Sequence, residues 1–144
     1  MTVSRAPLLI GLSAAVLAAG CGGGSSDSGK VEKTVQTAFA DLASGNGQGF
    51  CSLTTPAGQK SLAQNLPGAS CAKVLNLVSA HLSTQQKNGL RHAKVKSVTV
   101  KGNTATVKNS DITTSSGSLS GVLGSSTAKT TLTKQSDGSW KLSG

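Results

Sequence analysis

Val98-Thr99-Val100-Lys101-Gly102-Asn103-Thr104-Ala105-Thr106-Val107 is the stretch that decides the fold. Its apolar residues alternate with polar ones, the period of a strand with one buried face. Gly102-Asn103 interrupts the alternation with a two-residue turn, glycine first, the pattern of a type II′ hairpin. That turn pairs Val100 with Ala105 and Val98 with Val107 and puts all four on one face. Thr99, Lys101, Thr104, Thr106 and Lys108 take the other, which must be wet. Lys94 and Lys96 lie in phase with the valines, so the inner face is expected to open to solvent where this strand begins.

Downstream, Ser110 to Ser126 is rich in Ser, Thr and Gly, with Ile112, Leu119, Val122 and Leu123 as its anchors. It reads as a loosely held hairpin or a mobile loop. Ala128 to Gln135 returns to a strand, and Asp137-Gly138 turns it into Trp140 to Leu142. A two-residue turn there would put Leu132 and Leu142 on opposite faces. A three-residue Ser136-Asp137-Gly138 loop with Gly138 left-handed pairs them on the core side, and is the expectation.

Upstream of His92 the period is helical. Val31, Val35, Ala38, Phe39 and Leu42 mark one face of a helix from Lys30 to Ala43, with Ser28 as its expected cap and Ser44-Gly45-Asn46-Gly47 as its stop. Thr55 caps and Pro56 opens a second helix, with Leu62 and Leu66 on its buried side, ended by Pro67-Gly68. Ser70 caps a third helix to about Gln86, closed by Asn88-Gly89, with Cys71, Val74, Leu75, Val78 and Leu82 on one stripe. His81 borders that stripe.

The amino end carries an address. Arg5 precedes an apolar run from Leu8 to Ala19, shorter than the about 20 residues a membrane span needs and followed by small residues, which describes a secretory signal. Leu17-Ala18-Ala19-Gly20-Cys21 resembles the lipobox of a bacterial lipoprotein precursor, with the leucine one place earlier than usual. The resemblance implies a diacylglyceryl group on Cys21, an N-terminal anchor in the cell membrane and an extracytoplasmic location. Two acyl chains suffice for stable anchoring. Gly22 to Gly29 has no apolar side chain to bury and reads as a flexible tether. The expected organisation is therefore residues 1–20 as signal, 21–29 as lipidated cysteine and tether, and 30–144 as one domain.

With Cys21 assigned to lipid, Cys51 and Cys71 are the thiols that remain, in an oxidising compartment, and a disulfide between them is expected. A metal or catalytic thiol would need partners at ligand spacing, and neither His81 nor His92 stands at such a spacing from them. The staple matters because the aromatic residues are two Phe and one Trp, leaving a lean aliphatic core.

Fourteen Lys or Arg against five Asp or Glu give a net charge of +9. The lysines are scattered, and an exported protein with so few stacking side chains does not fit nucleic acid. A solvated basic surface, or one drawn to anionic lipid or wall polymer, fits better.

Taken together, the helices followed by antiparallel strands make an α+β domain, three N-terminal helices on a curved antiparallel sheet. Leu42 to Asn46, Phe50 to Pro56, Cys71-Ala72, the Val98 to Val107 hairpin and Asp137 to Leu142 resemble the nuclear transport factor 2-like (NTF2-like) cone superfamily, in particular its small actinobacterial lipoproteins. That resemblance implies a conical cavity used for isomerase or cyclase chemistry in some relatives and for binding in others. An enzyme of this kind would use a buried Asp or Asp/His pair, and Asp111 with His81 or His92 is the dyad on offer, without a tyrosine to steady an enolate. The expectation is a noncatalytic module with no cofactor and no metal, binding a small apolar ligand or an envelope protein, with His81, His92 and Trp140 as candidate pocket residues. A basic structural protein against anionic envelope polymer is the alternative, and an isomerase or cyclase ranks third.

Overall fold

The computed structural model describes residues 26–64, 66–114, 125 and 127–143. The expected signal, Cys21 and most of the tether lie outside them, as do Leu119, Val122 and Leu123.

Helix α1 (Asp27–Ser44) starts earlier than the apolar pattern suggests. Ser26, and not Ser28, is the cap: its hydroxyl accepts from the Gly29 N–H at 3.3 Å, and Asp27 puts a negative charge in the first turn, where the helix dipole favours it. The last residues assigned to a tether are thus helical. The far end stops as expected at Gly45, in the left-handed region at φ 76. A short helix not foreseen, α2 (Gly47–Ser52), follows under an Asn46 cap. Gly47 is required there, because its N–H donates to Asn76 Oδ1 at 2.9 Å and a Cβ at this position would collide with the Ala72 carbonyl.

Helix α3 (Pro56–Gln64) begins as expected, with the Thr55 hydroxyl accepting from Gly58 N at 3.1 Å. Leu66 is a correction. The helix stops before it, and the side chain, out of helical phase, is exposed.

The long third helix is two helices. Helix α4 (Cys71–His81) gives way to an extended Leu82, and α5 (Thr84–Arg91) restarts under Ser83 with a complete capping box: the Ser83 hydroxyl accepts from Gln86 N at 3.1 Å and Ser83 N donates to Gln86 Oε1 at 2.8 Å. Asn88-Gly89 therefore does not end a helix; Gly89 is buried inside α5. The buried stripe of α4 is Cys71, Val74, Leu75 and Ser79, while Val78 is 41% exposed. Ser79 replaces it because α4 faces the end of α1, where a Cβ on Gly45 would lie 3.5 Å from Ser79 Oγ.

Strands β2 (Thr99–Lys101) and β3 (Thr104–Lys108) form the expected hairpin, with Val100 opposite Ala105 and Gly102 at φ 58. Ala105 and Val107 are fully buried, and Val98 and Val100 half so. Strand β5 (Lys129–Lys134) pairs with β3, and β6 (Trp140–Leu142) with β5, giving an antiparallel sheet in the order β2-β3-β5-β6. Leu132 lies opposite Leu142, both buried, with Gly138 at φ 78, as the three-residue loop requires. Strand β1 (Lys94–Val95) pairs instead with β4 (Ile112–Thr113) in a separate two-stranded sheet. The expectation for Lys94 and Lys96 is corrected: both are exposed and Val95 is core. The chain leaves one ladder before it joins the next, so parity is not carried from Val95 to Val98.

Helix α1 is central. It lies against β1, β2 and β6 and against α2, α4 and α5. Its Val31, Val35 and Ala38 pack in one core with Ala105, Val107, Leu132 and Trp140. The Cys51–Cys71 disulfide, with Cα atoms 6.2 Å apart, ties α2 to α4 as expected. Opposite β5, β6 is covered by the Leu53 to Thr55 segment, where Leu142 N donates to Leu53 O at 2.8 Å and Thr55 N to Leu142 O at 2.7 Å, a parallel bridge. The class is α+β, with five α-helices ahead of the strands among the described residues and not three.

Candidate functional site

Among the described residues, Ala105, Val107 and Leu132 fill the middle of the sheet's inner face, and two openings lie at its margins. One, of about 350 Å³, sits where α2 and α3 meet the ends of β5 and β6. Phe50, Leu62 and Leu142 give it apolar walls, and Ser61 and Thr130 bring hydroxyls to it. The sequence builds it from three directions. The Asn46-capped α2 presents Phe50, the Thr55-capped α3 presents Ser61 and Leu62 one turn after Gly58, and the register of β5 with β6 delivers Thr130 and Leu142. Gly58 keeps the approach close, since a Cβ there would stand 2.7 Å from Thr54 Cγ2. The floor is rigid: the Thr54 hydroxyl donates to Phe50 O at 3.1 Å, and Gln59 Nε2 donates to Cys51 O at 2.6 Å and Thr54 O at 3.2 Å. Among the described residues, Ser61 and Thr130 hydroxyls have no protein partner and are available to a ligand.

The second opening, of about 610 Å³, runs between α1 and the β5–β6 turn. Lys30, Lys33, Thr34 and Thr37 line it from α1, at the three- and four-residue spacing that puts them on one helix face, and Lys141 and Ser139 line it from the other side. Thr34 fixes the two walls together, its hydroxyl lying 3.0 Å from Lys30 O and 3.4 Å from Trp140 O. Asp137 also lines this cleft, and its carboxylate accepts from the Ser139 hydroxyl at 2.6 Å and the Ser139 N–H at 2.9 Å. Those two bonds hold its pKa below the ordinary carboxylate value, the side-chain bond most, with Lys141 adding a smaller pull.

Of the three candidate pocket residues, Trp140 alone reaches either opening, at the basic cleft, and it is only 2% exposed. Its indole is committed to the fold, donating from Nε1 to Asp27 Oδ1 at 3.3 Å. His81 is exposed at the end of α4, and His92 is exposed at the end of α5 with Nδ1 2.9 Å from Asn88 O. Among the described residues neither lines either of these two openings, so they do not gather the three into one pocket. Asp111 closes a single 3-10 turn (Asn109–Asp111) and offers its main-chain carbonyl to Lys96 N at 2.7 Å. Among the described residues no bond links its carboxylate to either histidine.

No family model, curated protein or solved structure matches the chain.

Residues lining the apolar opening were not singled out from sequence. Phe50 and Leu62 carry a signal, each being apolar on a short helix, but their convergence with Thr130 depends on the parallel bridge at Leu142, a contact with no local signature.

Proposed function

We propose that this protein is a lipid-anchored, extracytoplasmic, noncatalytic binding module of NTF2-like type, and that its ligand is a small, mainly apolar molecule with one or two hydrogen-bonding groups. The observation that carries the reading is the opening between α3 and the β5–β6 ends: about 350 Å³, apolar on Phe50, Leu62 and Leu142, with unclaimed hydroxyls on Ser61 and Thr130. That size and that mixture suit a small ligand held by apolar area and oriented by few polar groups. The reading of the address rests on Leu17 to Cys21, and that of the superfamily on the order of helices before an antiparallel sheet.

Ser61 is exposed on α3 at the mouth of this opening, so Ser61→Trp fills it without disturbing the core. Nile red, an uncharged apolar fluorophore, is expected to bind the unaltered protein saturably with a blue-shifted emission. The substitution is expected to weaken that binding at least about tenfold, with the melting temperature unchanged. Equal binding by both proteins, or none by either, would count against a small-ligand site.

A further inference from the structure

We propose that the cleft between α1 and the β5–β6 turn holds the phosphate of an anionic phospholipid in the membrane to which the protein is anchored. The proposal rests on the lipid-anchor reading of Cys21.

Three observations converge on it. The first is charge. Lys30 and Lys33 from α1 and Lys141 from β6 line one cleft, with Asp137 as the opposing acid on its wall, which leaves two positive charges uncompensated. The neighbouring Asp27 adds only a weak attraction to Lys30, because its carboxylate is engaged by Lys134 Nζ, 2.9 Å from Oδ2, and by the Trp140 indole at Oδ1.

The second is position. The helix that carries Lys30 and Lys33 begins at Asp27, six residues beyond Cys21. Six residues span at most about 20 Å even when fully extended. An acyl chain on Cys21 therefore confines this end of α1, and with it the cleft, to the headgroup side of the bilayer. Lysines within a Debye length of an anionic surface each contribute about fivefold to attraction.

The third is shape. The cleft is an open trough whose cations are ammonium groups on flexible stems, with no guanidinium fork. Such a site offers point charge to a surface bearing many phosphates and little to grip one small free ion. The apolar opening, by contrast, has Lys129 as its one charged lining residue among the described residues, so the two sites differ in the chemistry they accept.

The test is lysine footprinting on the full acylated protein reconstituted in vesicles of phosphatidylcholine alone or with phosphatidylglycerol. Acetylation at each lysine is read by mass spectrometry, with Lys60 on α3 and Lys73 on α4 as exposed internal controls. Phosphatidylglycerol is expected to slow labelling of Lys30, Lys33 and Lys141 at least about fivefold, with reversal by high salt and no change at the controls. Equal labelling in both vesicles, or slowing spread evenly over all lysines, overturns the proposal. So does equal protection in phosphatidylcholine vesicles given inorganic phosphate, which would make the ligand a soluble anion, or given soluble poly(glycerol phosphate), which would make it a wall polymer. The intact mass of the same sample tests the anchor separately. An unacylated Cys21 removes that reading, and slowed labelling of the three cleft lysines by protein added from solution would still support the headgroup site.

Discussion

Asp27 and Trp140 stand 113 residues apart in the sequence and are joined by a hydrogen bond of 3.3 Å from the indole Nε1 to the carboxylate. The other oxygen of the same carboxylate takes the Lys134 ammonium at 2.9 Å, and that ammonium lies 5.9 Å from the centre of the Trp140 ring. A single acid in the first turn of α1 thus fastens the helix to both strands of the last hairpin. The Lys134 bond, and after it the Trp140 bond, hold the Asp27 pKa below its ordinary 3.8. Because the folded-state value is depressed, the stabilisation is complete above the unfolded value and disappears as pH falls through the folded one. Urea midpoints of the wild type and Asp27→Asn are expected to differ at neutral pH and to converge as the pH falls below the ordinary value of 3.8. A gap that persists unchanged in acid would contradict this.

The disulfide closes a loop between positions 20 apart. Cys51→Ser with Cys71→Ser is expected to lower the unfolding free energy by about 3 kcal/mol, measured by urea denaturation. A loss under about 1 kcal/mol would mean that the reduced, unfolded chain is already constrained.

Leu132 is fully buried and Leu77 is 44% exposed, although both are leucines on regular elements. Leu132→Ala is expected to cost about 2 to 5 kcal/mol, since it leaves a cavity between the sheet and α1. Leu77→Ala should stay within about 0.5 kcal/mol. Comparable losses at the two positions would show that the α4 face bearing Leu77 is covered in solution.

Ser83→Ala distinguishes one long helix from two by the sign of its effect. Inside a continuous helix alanine would stabilise, being the better helix former. At the capping box it removes an oxygen that accepts from Gln86 N and is expected to destabilise by about 1 kcal/mol. Chemical denaturation gives the sign directly.

Strand register was legible wherever a glycine turn sat between two alternating runs. Val100 opposite Ala105 and Leu132 opposite Leu142 both follow from period two plus the loop length that keeps apolar residues together. The break between α4 and α5 was also written in the chain, as Ser83 with Gln86 three residues on, but the apolar stripe running through Val78 and Leu82 hid it. The stripe misled because a helix periodicity does not record which neighbour comes closest; Ser79 is buried by the turn at Gly45, a tertiary contact. The start of α1 was misplaced for a similar reason. Ser26 and Asp27 sit in a Gly/Ser run whose composition suggests a linker, and the partners that fix Asp27, Lys134 and Trp140, are at the other end of the chain. The apolar opening was the least legible feature, because its walls come from segments that only the bridge at Leu142 brings together.

That bridge also orders events in time. A polypeptide emerging amino end first has α1, α2 and α4 available, with both thiols of the staple, long before Leu142 arrives to pair with Thr54. The helical half can therefore oxidise and collapse around an unfinished sheet, and β6, which emerges after the other described strands, zips the two halves shut.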